Sequence, residues 1–472
     1  SPSEGSGEAS GEPGRGSFQE SSFRDRPSTF SKDGKRVWLY PKMPKGKLYN
    51  IRRIIAWVLL IFFYLAPHIR LNGEQLIFLN FAERKFTLFG GTFYPQDFYL
   101  LVLSVIALVV FIVLFTAIYG RIFCGWTCPQ TIFMEFLYRP IEYLIDGTPE
   151  KQRKLAESEA SAGKILKRTL KHSIFLLISF TTILTFVAYI TGTPKLEALV
   201  NSWPAENFGI LMIVLAFTGA HYFVFAWFRE QVCTVVCPYG RLQGVMLDVN
   251  TIQVAYDYKR GEPRGKSSTG KSGDCINCRK CVAVCPTGID IRNGTQLECI
   301  NCTACIDACN SVMYLLNKPA GLIRFASEKS ISEGVKIRFN ARVIAYSVVL
   351  ALLLGVITYL VTVRGTVETT IIRAQGTLFQ EYGPDKYSNL YNLEMINKTG
   401  TPIHVRLKLL SPAGEIMVMG DSLNAEKGEV IQRNMLIVLK KETVKSSNHL
   451  EIGVFTGDKL IEKISSTFVG PN

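Results

Sequence analysis

Five stretches of this chain are apolar for long enough to cross a bilayer, which takes about 20 helical residues at 1.5 Å each. They run Ile54–Ile69, Phe98–Tyr119, Ser173–Thr191, Phe208–Phe228 and Val343–Val363. The first is the shortest and contains Pro67. Residues 1–50 are polar and rich in Gly, Ser and Glu, which reads as a flexible leader without a cleavable signal peptide. Beyond Glu368 the pattern changes to short alternating runs: Ile403–Leu409, Glu429–Val438 and His449–Phe455. Turn signals at Asn397–Gly400, Ser411–Gly414 and Thr456–Lys459 separate them. About 105 residues with that period-two rhythm predict a small immunoglobulin-like β-sandwich. It holds no cysteine and no catalytic constellation, so docking or scaffolding is its expected role.

Charge orients this plan. The 472 residues carry 53 Lys+Arg against 39 Asp+Glu, a formal balance of +14, with 48% hydrophobic residues. Such a surplus suits nucleic acid, acidic headgroups or a membrane protein with positive inner loops. Its distribution decides. The segments before the first span, Arg121–Lys171 and Arg229–Arg342 hold 36 bases against 22 acids, whereas the other three hold 17 of each. The whole surplus therefore lies on alternate segments. That predicts a cytoplasmic N-terminus, cytoplasmic cysteine-bearing segments and a C-terminal domain outside, and it makes nucleic acid a poor partner. The predicted organisation is a leader (1–50), a four-span membrane domain (51–250), an inserted cytoplasmic domain (251–340), a fifth span (341–364) and the outer sandwich (365–472).

All twelve cysteines fall between Cys124 and Cys309. Eight form Cys275-x2-Cys278-x2-Cys281-x3-Cys285-Pro286 and Cys299-x2-Cys302-x2-Cys305-x3-Cys309-Asn310. This is the run of bacterial two-cluster ferredoxins, in which the fourth cysteine of each run serves the other cluster. It assigns Cys275, Cys278, Cys281 and Cys309 to one 4Fe–4S cluster, and Cys299, Cys302, Cys305 and Cys285 to the other, in an α+β ferredoxin-like domain. Structural zinc is the competing explanation, but zinc uses isolated Cys-x2-Cys pairs a dozen or more residues apart. Just upstream, Gly265–Ser272 matches the phosphate-binding loop pattern. It leaves no room for the helix such a loop opens, and reads as a solvated linker.

The other four cysteines form Cys124-x3-Cys128-Pro129 and Cys233-x3-Cys237-Pro238, each just after a span, with Arg121 and Arg229 before them. The prolines disfavour helix at Cys128 and Cys237. A buried cysteine is most simply a small apolar filler. Two identical motifs at equivalent places instead point to a ligand or redox role, with thiolates suited to Cu(I), Zn or iron, or cycling as dithiols. His221 within the fourth span is a functional candidate as an intramembrane ionisable group, and equally an inter-helix hydrogen-bonding residue; His68 is a weaker one. No Cys-x-x-Cys-His is present, which excludes covalent haem.

Together these features resemble the CcoG/FixG (RdxA) family of cytochrome oxidase accessory proteins over nearly the whole chain after the leader. The resemblance rests on the two Cys-x3-Cys-Pro motifs, the double ferredoxin run, the last span, the sandwich and the Tyr256–Arg264 stretch. It implies a bacterial inner-membrane protein that reduces Cu(II) to Cu(I) for assembly of cbb3-type cytochrome c oxidase. Copper would sit at Cys124, Cys128, Cys233 and Cys237. Implied partners are oxidase assembly factors or a copper transporter, besides the lipid bilayer and an unknown electron donor, with a homodimer left open. Membrane polyferredoxins of this kind also resemble quinol-linked electron-transfer subunits, and a non-enzymatic assembly scaffold is a third reading.

Overall fold

The computed structural model describes residues 29, 33, 35–71, 73–81, 85–93, 97–202, 207–265, 273–335, 341–363, 365, 367–374, 376, 379–398, 402–420, 423–426 and 429–471. The phosphate-loop look-alike beyond Gly265 and nearly all of the leader's first 34 residues lie outside them. Two compact units emerge: Ser1–Ala66 with Ala107–Ala188 and Thr193–Leu350, and Pro67–Ile106 with Tyr189–Gly192 and Ala351–Asn472.

Five apolar helices occur where hydropathy predicts them, at Lys47–His68, Phe98–Tyr119, Ala162–Thr191, Phe208–Phe228 and Ala341–Val363. Helices satisfy every backbone group internally, so they can leave apolar side chains outward, as Leu101, Val105, Leu108 and Leu352 are here. The first helix begins seven residues before its apolar run. The cause is a long-range cap: the Asp307 carboxylate accepts from the backbone N–H of Tyr49 at 2.8 Å and of Leu48 at 3.3 Å. Capping of exposed helix N–H groups typically contributes about 1 kcal/mol. Pro67 lies in the 3-10 turn Ala66–His68 that ends this helix. The third helix also starts early, at Ala162, and takes in the basic stretch Lys164–Lys171.

In the same unit, residues 251–335 contain a two-stranded antiparallel ribbon, Gln253–Tyr256 with Ile323–Ala326, and the helices Lys280–Ala283 and Ala304–Leu315. Val254, Tyr256, Ile306, Val312, Met313 and Ile323 form its core together with Cys275 and Cys281. Elements this short cannot close a large core by themselves. The segment also leans on the membrane helices through Asp307 and the contacts described below.

The second unit contains the predicted sandwich. One sheet runs Gly414–Val418, Val430–Lys440, Lys386–Asn397, Val367–Arg373, and the other Arg406–Ser411, Ser447–Thr456, Lys459–Val469. Parity shows how it is built. Ile431, Met435, Ile437 and Leu439 are buried from one strand, and Leu450, Ile452 and Val454 from another. Successive side chains of a strand face opposite ways, so each set shares one inward face. The hairpin at Thr456–Lys459 and the turn at Ser411–Gly414 fall where turn residues placed them.

Ile437 is fully buried in this core, so Ile437→Ala should lower the stability of the sandwich by about 2–5 kcal/mol. Exposed Asn434→Ala, on the opposite face of the same strand, should change it by less than about 0.5 kcal/mol. Calorimetry of the purified chain resolves the transition, and equal melting of the two variants would contradict the inward face described here.

Candidate functional site

Backbone geometry repeats in the two four-cysteine runs. Asn277 and Arg279 adopt the left-handed conformation (φ 58° and 55°), and so do Asn301 and Thr303 (φ 52° and 64°) at the matching positions of the second run. Such non-glycine residues are uncommon and belong to tightly wound loops. In each run the loop opens a helix, Lys280–Ala283 or Ala304–Leu315.

Around these loops are two hollows. One is lined by Cys285, Cys299, Cys302 and Cys305, with Cys281 also on its wall. The other is lined by Cys275, Cys278, Cys281 and Cys309. Apart from Cys281, which borders both, each hollow gathers thiols of one run with the last thiol of the other. Among the described residues no three His, Cys, Asp or Glu side chains converge closely enough to share a single metal ion. Four thiols spaced widely around a hollow suit a polynuclear iron–sulfur cluster, in which each thiolate binds a different iron. The donor set fits that group.

Electrostatics agrees with metal-dependent thiolates. Burial pushes Cys299 and Cys309 up to about 12 and Cys281 and Cys302 up to about 11, outweighing Arg292 beside Cys281 and Arg52 beside Cys302. Thiols this reluctant to ionise become ligands by exchanging their protons for metal. Cys278 is the exposed one of the eight.

The two Cys-x3-Cys-Pro motifs lie at the ends of the second and fourth spans and break as their prolines predict. Cys128 (φ −61°, ψ 126°) and Cys237 (φ −65°, ψ 109°) are extended, and each precedes a helix whose first residue is proline. Cys124 lies in the short helix Ile122–Trp126, whereas Cys233 lies in the π-helical turn Val232–Val236. The four thiols are neighbours. Burial pushes Cys124 up to about 11, with Cys128 and Cys237 adding and Arg121 opposing. Burial pushes Cys233 up to about 12, with Cys128, Cys124 and Cys237 adding. The Cys124 Sγ–H donates to Gln243 Oε1 at 3.2 Å.

The motif arginines, alike in sequence, act differently. Arg121 donates to the Leu297 carbonyl and faces the thiols. Arg229 makes a two-pronged ion pair with Glu142, at 2.6 and 3.0 Å. Burial disfavours the Glu142 carboxylate, but Arg229 prevails and holds it below the usual carboxylate range.

Sequence reasoning did not find the junction between the two cysteine systems. Cys124, Ile300, Cys302 and Ala304 share one buried apolar cluster. A Cβ on Gly125 would overlap the Ile300 carbonyl and come within 2.9 Å of both the Cys302 Cα and its backbone N. Trp126 Nε1 donates to the Asn301 carbonyl at 3.2 Å, and Arg52 Nη1 to the Cys302 carbonyl at 2.9 Å. The glycine within Cys124-Gly-Trp-Thr-Cys128 is the one signal that hinted at a close approach. His221 is placed elsewhere, among Phe133, Phe225 and Tyr138, with its Nδ1 3.5 Å from the Tyr138 hydroxyl. His68 is exposed.

Comparison with known proteins agrees with this architecture. Residues 228–328 match the family model of a 4Fe–4S dicluster domain, 101–146 that of a 4Fe–4S binding domain, and 357–471 that of the immunoglobulin-like fold at the C-terminus of FixG. Protein RdxB of Cereibacter sphaeroides is 34% identical over 408 residues, covering 82% of this chain and 84% of that protein. Protein RdxA of the same organism is 34% identical over 80% of this chain and 83% of its own. Nitrogen fixation protein FixG of Rhizobium meliloti is 35% identical over 62% of this chain and 58% of its own.

The crossed thiol sets predict an asymmetry between double variants. Cys285→Ser with Cys299→Ser strikes one hollow twice, so about half of the iron should remain. Cys285→Ser with Cys275→Ser strikes both hollows, so nearly all should go. Iron analysis with electron paramagnetic resonance (EPR) measures this, and the reverse order would mean that each run holds its own cluster.

Proposed function

The chain belongs to the FixG/Rdx family, and from that premise we propose that it is a membrane-bound iron–sulfur electron-transfer protein that reduces Cu(II) to Cu(I) for assembly of a cbb3-type cytochrome c oxidase. It acts in the bacterial inner membrane, with the leader and the cysteine-bearing segments cytoplasmic and the sandwich periplasmic, following the one-sided charge. An electron donor supplies the cytoplasmic side, and the cuprous product passes to a copper transporter or to oxidase assembly factors.

The observation that carries this reading is the Gly125 junction, where Cys302 and Cys124 belong to one buried patch. Bound at the eight thiolates, 4Fe–4S clusters supply one electron each, the number that Cu(II) requires. The protein's own residues do the rest. Cys124, Cys128, Cys233 and Cys237 supply the thiolates; since no three of them converge on one point, a pair of the four holds the ion, and as soft ligands they favour the cuprous state. Arg121 offsets their negative charge when they ionise. Gln243 accepts from Cys124 and donates to Thr116 at 3.1 Å, fixing the orientation of that thiol.

A second reading has its own support. The 4Fe–4S binding match at 101–146 contains only two cysteines, Cys124 and Cys128, and a cluster needs four thiolates. Cys233 and Cys237 are the neighbours able to complete a third cluster.

One double variant separates the two. Anaerobically reduced wild-type chain, mixed with Cu(II) and a Cu(I)-specific chelator, should form one cuprous complex for each electron the clusters lose. Cys124→Ser with Cys233→Ser should slow this at least tenfold while iron stays at about eight per chain. Unimpaired copper reduction in that variant would refute the copper site. A fall from about twelve to about eight irons would establish the third cluster instead.

A further inference from the structure

We infer that Arg52, near the start of the first span helix, is the counter-charge of the thiol set Cys285, Cys299, Cys302 and Cys305, and makes that site the stronger electron acceptor of the two. The inference rests on reading the two hollows as cluster sites, and it is independent of what the electrons finally reduce.

Arg52 is 1% exposed. Its Nη1 donates to the Cys302 carbonyl at 2.9 Å, and its guanidinium lies 5.1 Å from the Phe136 ring centre. Among the described residues its Nε and Nη2 have no hydrogen-bond partner and no carboxylate forms an ion pair with it. Arginine does not escape burial by losing its proton, and a buried charge without a partner is costly. An anion beside Cys302 resolves that cost, and four thiolates on an iron–sulfur cluster provide a net negative charge. Arg121 adds a second cation on the Cys299 side. The acid that bears on Cys302, Glu135, is tied to Arg139.

The other hollow is built differently. Its buried cation, Arg292, is neutralised by Asp290 through contacts of 2.6 and 2.8 Å. Arg264 is paired with Glu262 at 2.6 Å. Arg279 and Lys280 are exposed, where water and salt screen them. Asp307, the buried carboxylate on the helix between Cys305 and Cys309, is held by the backbone N–H groups of Leu48 and Tyr49, so among the described residues Arg52 and Arg121 keep no ion-pair partner whereas the cations of the other site are paired or exposed. Adding an electron adds negative charge, so Arg52 favours it at Cys302. Cys302 is also the cysteine whose backbone meets Gly125 and which shares an apolar cluster with Cys124. The charge thus biases electrons toward the site adjoining the membrane-edge thiols.

The test is an EPR-monitored redox titration of the holoprotein without copper. Cys309→Ser, which should retain only the cluster beside Arg52, identifies that cluster's midpoint. Arg52→Met should then move that midpoint negative by at least tenfold in the one-electron equilibrium, about 59 mV, and leave the other in place. Arg52→Lys should retain most of the wild-type value. Asp290→Asn frees Arg292 and should raise the other midpoint, narrowing the gap. An unmoved midpoint in Arg52→Met with both clusters present overturns the inference, as does movement of the wrong one. Should Arg52→Met fail to accumulate, Asp290→Asn decides, and an unchanged gap overturns it. Because no copper enters the titration, failure here leaves the copper proposal standing, and failure of the copper assay leaves these midpoints standing.

Discussion

The six residues from Leu297 to Cys302 are docked on the corner between the second span and the Cys124 motif, and the rest of the functional unit depends on that contact. Arg121 holds Leu297, Trp126 holds Asn301 and Arg52 holds Cys302, each through a backbone carbonyl. Asn301 in turn accepts from the Val254 N–H of the two-stranded ribbon at 3.1 Å. Buried carbonyls must find donors, so the loop is tied to three separate elements. Gly125 contributes by lacking a Cβ where the two backbones meet. A cysteine run that in a free ferredoxin would belong to a small soluble domain is here continuous with the membrane helices.

Charge is handled in a similarly local way at the span ends. Glu142–Arg229 at 2.6 Å, Asp146–Lys171 at 2.5 Å and the Arg139–Glu135 pair are all buried or nearly so. Buried ion pairs add little net stability, because desolvation consumes most of the attraction, but breaking one strands its partner. Their value here is positional. Arg229 sits at a left-handed break (φ 54°) between the fourth span and the turn bearing Cys233, and Glu142 fixes that break from another helix. Three π-helical turns, Phe133–Tyr138, Val224–Phe228 and Val232–Val236, cluster in the same region. Such turns are rare and recur at functional sites.

Much was already determined by the sequence. Long apolar runs leave a backbone no choice but helices in lipid, so the spans at Phe98–Tyr119 and Phe208–Phe228 were legible to the residue. Alternation fixes which strand face is inward, so the sandwich was legible from runs such as His449–Phe455. The spacing of Cys275–Cys285 and Cys299–Cys309 specifies a cluster-binding loop because the chemistry is local. Proline at 129 and 238 told where helices stop. What only the tertiary structure decided are the relations between residues far apart in the chain. The first helix begins at Lys47 because Asp307 caps it from 258 residues away. Arg121 and Arg229 look equivalent in their motifs, yet one serves a backbone carbonyl and the other a carboxylate. Arg52 reads in sequence as a charge at the end of a span, indistinguishable from its neighbour Arg53; only packing shows one buried against Cys302 and the other exposed. Periodicity and spacing are properties of neighbouring residues, whereas caps, counter-charges and close backbone approaches are made between segments that meet only in the fold.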